Sequence, residues 1–133
     1  MKTIVISADD KVGLLADISY LLAKAKINID TICVDVFSGR AVISLEVTDP
    51  VKGKQVVEAG GYRVEDLNAV VVKITEKDLG KMTKQLTDDG LKVQNVQVLA
   101  KDNHETIYSI VVDKPKRANT LLQAHLITNK SYY

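Results

Sequence analysis

The chain has no tryptophan, one phenylalanine, one cysteine and two prolines among its 133 residues. A lone Cys33 excludes an intrachain disulfide framework and a cysteine-based zinc site, which fits a reducing compartment. Excess charge is missing too. Eighteen Lys and Arg meet seventeen Asp and Glu, and a net charge of +1 gives no electrostatic case for nucleic acid or an acidic membrane surface. No apolar run approaches the length of a membrane span. The N-terminal MKTIVISADDK reaches two aspartates too early for a signal-peptide core, so a cytoplasmic location is expected.

Residues for catalysis are equally scarce. His104 falls in a predicted hairpin turn, KDNHE, and His125 near a helix end, where solvation or the helix dipole accounts for it. No HxxxH, CxxC or serine-centred elbow accompanies them, so neither an enzyme nor a metal or cofactor site is expected. Phe37 and the scattered tyrosines form no basic and aromatic platform for RNA, and KPKR at 114–117 reads as surface charge opening a helix.

What the chain does have is 46% hydrophobic content, enough for a real core, arranged in one pattern written twice. Thr3 to Ala8 is a β-branched run that reads as a strand, and beyond Gly13 the spacing of Leu14, Leu15, Ile18, Leu21 and Leu22 gives one apolar helical face. Ile29 to Phe37 alternates Ile32, Val34 and Val36 against Thr31, Cys33 and Asp35, turns at Ser38-Gly39-Arg40, and alternates again from Ala41 to Thr48, predicting a hairpin with one buried face. Asp49-Pro50 offers a helix N-cap with proline at the first helical position, Gly60-Gly61 closes that helix, and Tyr62 to Glu65 returns as a short strand.

A shift of 64 residues, the distance from Leu15 to Leu79, repeats the plan. Leu79, Met82 and Leu86 fall on Leu15, Ile18 and Leu22, Gly90-Leu91 on Lys26-Ile27, Asn103 on Gly39, Ile107 on Ile43, and Asp113-Lys114-Pro115 on Asp49-Pro50 within one residue. The predicted class is α+β, two ferredoxin-like βαββαβ units at 1–67 and 68–133, each an antiparallel sheet with its helices on one face.

The stretch "DDKVGLLADISYLLAKAKINI" between strand and hairpin resembles the ACT domain. Asp10, Lys11, Gly13, Leu14, Leu15, Ile27, Asn28 and Ile29 match its acid, basic residue, glycine, leucine pair and closing Ile-Asn-Ile; Val12 stands where proline is common and Lys26 where glycine is common. The resemblance implies a non-catalytic regulatory module that binds an amino acid or similar effector between paired domains, as a homodimer, with any regulated client a separate protein. The physics of the stretch agrees. A glycine at a strand end lets a ligand approach the backbone, the first N–H groups of the following helix suit an α-carboxylate, and Asp10 suits an α-ammonium group. A tight turn at Gly13, helix capping by Asp10 and an αL turn at Asn28 are the plainer roles of the same residues.

The second copy departs at this point. Its Gly80 falls inside the helix, and Thr75 with Asp78 predicts a capping box directly after the strand, so the passage is shorter and lacks the glycine. This implies that the fold itself does not need Gly13. The candidate ligand residues are Asp10, Lys11, Val12, Gly13, Leu14 and Leu15, with the opposite wall from Asn28 and Ile29 if first halves pair between chains, or from Lys92, Val93 and Asn95 if the halves of one chain pair. The alternative is a protein-interaction module that uses its exposed sheet face or edge and takes no small ligand.

Overall fold

The computed structural model describes residues 3–127, divided between Leu67 and Asn68 into two compact units. In the first, β1 (Thr3–Asp9), α1 (Leu14–Lys24), β2 (Ile29–Phe37), β3 (Arg40–Val47), α2 (Pro50–Ala59) and β4 (Arg63–Val64) follow in order. The antiparallel sheet has the strand order β2-β3-β1-β4. Alternation along β1 and β3 sends Ile4, Ile6, Ile43 and Leu45 to one face, where Leu14, Ile18 and Leu22 of α1 and Val57 of α2 close a single core over them. These are ferredoxin-like contacts, with both helices on the same side.

The second unit runs β5 (Ala69–Ile74), α3 (Glu76–Asp88), β6 (Val93–Lys101), β7 (Thr106–Val112), α4 (Pro115–Leu121) and a 3₁₀ turn at Gln123–His125. Its sheet has the order β5-β7-β6. Where the first unit has β4, the second has an isolated antiparallel bridge from Leu126 to Val72, reinforced by the Ile127 N–H donating to the Val71 carbonyl. Met82, Leu86, Ala118 and Leu122 cover Val70, Val72, Tyr108 and Ile110 as their counterparts do in the first unit.

Helix ends repeat closely. Lys26 at the end of α1 has φ +61° and Gly90 at the end of α3 has φ +85°, both in the left-handed region. Both close Schellman turns, with Ile27 N–H reaching the Leu22 carbonyl at 3.0 Å and Leu91 N–H the Leu86 carbonyl at 3.0 Å. Glycine holds that conformation in one copy and lysine, against the preference of a Cβ-bearing residue, in the other. Lys26→Gly is therefore expected to raise the stability of the first unit by about 1 kcal/mol, read as a higher urea midpoint at unchanged m.

Gly53, inside α2, shows the reverse asymmetry. The second unit carries Ala118, fully buried, at the equivalent core position. A Cβ added at Gly53 would sit 3.6 Å from Leu22, 3.7 Å from Ile4 and 3.7 Å from Val47, all ordinary van der Waals contacts. Gly53→Ala should thus gain helix propensity without strain, raising stability by about 0.5–1 kcal/mol in a thermal or urea melt.

Four readings of the sequence need correction. Ile32, Val34 and Val36 do not form a buried hairpin face: they point to the helix side but are 42%, 41% and 49% exposed, whereas Cys33 and Asp35 are buried. The cause is strand order, since β2 is the edge strand and the helices lie over β1, β3 and β4. Asp113 does not repeat the cap of Asp49. Asp49 Oδ1 accepts from the Lys52 N–H at 3.0 Å, but α4 is capped at Lys114, and Asp113 Oδ1 accepts from the Lys92 N–H at 2.8 Å. Asp113 is instead the counterpart of Thr48, whose Oγ1 accepts from the Asn28 N–H at 3.2 Å. A bulge between Val98 and Ala100 in β6 adds the residue that displaces the second register by one.

The capping box at Thr75 is the third. Thr75 is the N-cap of α3, yet its Oγ1 donates to the Asp78 carboxylate at 3.0 Å and caps no N–H group. The fourth concerns Gly13. Four residues, Asp10–Gly13, join β1 to α1, and Gly13 caps the helix at φ +83°. Thr75 alone joins β5 to α3, with extended backbone at φ −76° and ψ 154°. The two copies use different turns, so the second does not show glycine to be dispensable in the first. Gly13 has a conformational reason of its own.

Candidate ligand site

The turn after β1 is fixed by three backbone contacts. The Asp10 N–H donates to the Gly39 carbonyl at 2.8 Å, Leu14 N–H to Lys11 at 3.2 Å and Asp17 N–H to Gly13 at 2.9 Å. The N–H groups of Leu15 and Ala16 find no backbone acceptor among the described residues, because the carbonyls they would use precede the helix. They open onto a cleft of about 320 Å³ formed by the turn and the start of α1 against Val34, Ala41 and Ile43 of the hairpin. Asp10, Lys11, Gly13, Leu14 and Leu15 all line it.

Electrostatics around the mouth are mixed. Asp10 is exposed and is not the helix cap, a place taken by Gly13, while Asp9 pairs with Arg40 at 2.7 Å. Lys11 Nζ lies 5.4 Å from the centre of the Tyr62 ring. The Tyr62 hydroxyl donates to the Asp17 carboxylate, which pushes the phenol pKa up, with partial burial adding to the rise. Lys11 is thereby steadied beside the cleft by a residue from the α2–β4 turn. Val12 projects fully into solvent at the tip.

The remaining sequence candidates lie elsewhere. Asn28 and Ile29 stand at the opposite end of β2 from the cleft: Ile29 pairs with Val47, whereas Phe37, at the other end, pairs with Arg40. Lys92 directly precedes β6, and Val93 and Asn95 occupy its matching start, with Val93 opposite Val112 and Asn95 opposite Val111. Val34, Ala41, Ile43 and Tyr62 were not among the candidates. The first three follow from hairpin register once the Ser38-Gly39 turn is set, with φ +51° and +80° at its centre. Tyr62 carries no sequence signal, since it meets Lys11 only through packing of the second helix.

Element order, strand order and the glycine turn at the start of α1 now stand together. The chain is ferredoxin-like in fold. No family model and no curated protein matches it. Solved structures similar to this chain include a protein from Bacteroides thetaiotaomicron, at 19% identity over 92% of this chain and 85% of that one, TM-score 0.49. The regulatory subunit of aspartate kinase from Thermus thermophilus is similar at 16% identity over 92% and 90%, TM-score 0.41. A putative glycine cleavage system transcriptional repressor is similar at 11% identity over 91% of each chain, TM-score 0.40.

The second unit has its own cleft of about 320 Å³ between the β5–α3 turn and the β6–β7 turn, but its chemistry differs. Lys101 Nζ meets Glu76 Oε1 at 2.7 Å across it, and Asp102 Oδ1 is engaged by the N–H groups of His104 and Glu105 at 2.7 Å each. Those two N–H groups hold the Asp102 carboxyl below its ordinary pKa. No group of three or more metal-ligating side chains occurs among the described residues, and no described helix is long and apolar enough to cross a membrane.

Proposed function

We propose that this chain is a non-catalytic regulatory module that binds a small effector, an amino acid, at the Gly13 cleft, between paired ACT-like domains. The observation that carries the reading is the meeting of two unpaired helix N–H groups, those of Leu15 and Ala16, with an apolar cleft flanked by Asp10 and Lys11. A zwitterion needs a partner of each sign. The helix start suits its carboxylate and Asp10 its ammonium group, while the aliphatic wall takes the remainder.

Pairing completes the cleft in this reading. Antiparallel pairing of two edge strands sets the start of one against the end of the other, bringing Asn28 and Ile29 of a second copy toward the mouth of the cleft, beside the head group. The exposed Ile32, Val34 and Val36 supply apolar surface for such contact. A homodimer, acting on a separate protein client in the cytoplasm, is the assembly proposed.

The same strip supports a second reading, an interaction module without a ligand. A thermal-shift screen with the twenty amino acids separates the two, since a ligand selective for the native state raises the melting temperature by mass action. Saturable stabilisation by one class is expected, retained in Gly80→Ala, which alters an open position inside α3. No shift with any amino acid leaves the interaction module as the better account.

A further inference from the structure

The two ACT-like units act as controls for one another beneath the strand-to-helix turn. In the first, the last helix-facing pair of β1 and β3 is Ala8 against Ala41. In the second, the equivalent pair is Ile74 against Thr106. Ala41 lines the cleft beside Gly13, and Val34 and Ile43 wall it with hydrocarbon. The cleft of the second unit, of the same volume of about 320 Å³, is lined by Thr106 and rimmed by the Glu76–Lys101 ion pair.

We infer that the Gly13 cleft selects an amino acid with a branched aliphatic side chain, and that each chain binds one. This rests on the amino-acid reading above and names the class of effector. Once the α-carboxylate and α-ammonium groups are met at the mouth, the side chain faces Val34, Ala41 and Ile43, none of which offers a hydrogen bond. A hydroxyl, amide or charged side chain would lose its water there without a replacement partner, whereas a branched aliphatic one gains apolar contact. The cleft volume, about 320 Å³, is at the small end for a ligand site and must also hold the head group, which disfavours an aromatic ring. In the second unit an aliphatic side chain would have to strip water from a charged pair, so that cleft does not take the same ligand.

Isothermal titration of the full chain with valine, leucine, isoleucine, threonine, serine, aspartate, lysine and phenylalanine tests this. Valine, leucine or isoleucine should bind with a stoichiometry of one per chain. Threonine, valine's isostere, should bind at least about 10-fold more weakly than valine. Val34→Thr, at a half-exposed position in the cleft wall, should narrow the valine-to-threonine ratio. Tighter binding of a polar or aromatic amino acid, lost in Gly13→Val, overturns the aliphatic assignment and leaves the site standing. Two aliphatic ligands per chain overturn the single-site claim. Absence of binding by every amino acid overturns both this inference and the function on which it rests.

Discussion

Gly13→Val is expected to lose amino-acid binding entirely while the chain still folds, with stability lowered by about 1–2 kcal/mol. The stability term comes from φ +83° at Gly13, a left-handed conformation that a β-branched residue adopts only under strain. The binding term comes from elsewhere. A Cβ at Gly13 meets nothing within 4 Å, so its methyl groups would enter the open space from which a ligand approaches Leu15 and Ala16. Gly13→Ala separates the two contributions, since it carries the backbone strain with far less bulk. A circular-dichroism melt with and without the effector reads both quantities on each variant. Normal binding by Gly13→Val would remove the cleft as the site, whatever happened to the melting temperature.

The second large effect lies in the core of the first unit. Leu22, on α1, is fully buried and packs with Ile4, Ile18 and Ile43 in the core between helices and sheet. Leu22→Ala should lower stability by about 2–5 kcal/mol, because the cavity left behind collapses only in part. Domains of this size are stable by only about 5–15 kcal/mol, so the loss is a large fraction of the total. Hydrogen exchange resolves where it falls: amides of β1, β3 and α1 should lose protection by orders of magnitude, while those of β5, β7 and α3, which close a separate core, should change much less. Uniform loss across both units would show that the two cores melt as one.

Most of the local architecture was legible in the order of residues. Alternation gives β2 its bounds, Ile29–Phe37, and apolar spacing places Leu14, Ile18 and Leu22 on one helix face, because these periods are set by backbone geometry alone. Pro50 and Gly61 mark the ends of α2 for equally local reasons, a missing N–H group and a tolerated positive φ. The turn residues Asp10–Leu15 could likewise be chosen from their text.

Whether an apolar strand face is covered is not a local property. Val34 and Val36 alternate like core residues, yet the strand order leaves β2 at the edge and half exposes them, and Val34 becomes one wall of a cleft. The roles of Ala41 and Tyr62 are tertiary too: one matters as a small residue opposite Ala8, the other through contact with Lys11 and Asp17 from a distant turn. The sequence by itself determined two ferredoxin-like units and the glycine turn, since helix, strand and turn preferences act over a few residues. Only the tertiary structure decided that an aliphatic cleft opens beside one strand-to-helix turn and that an ion pair spans the other. Those outcomes depend on which strands lie side by side, and thus on packing between residues far apart in the chain.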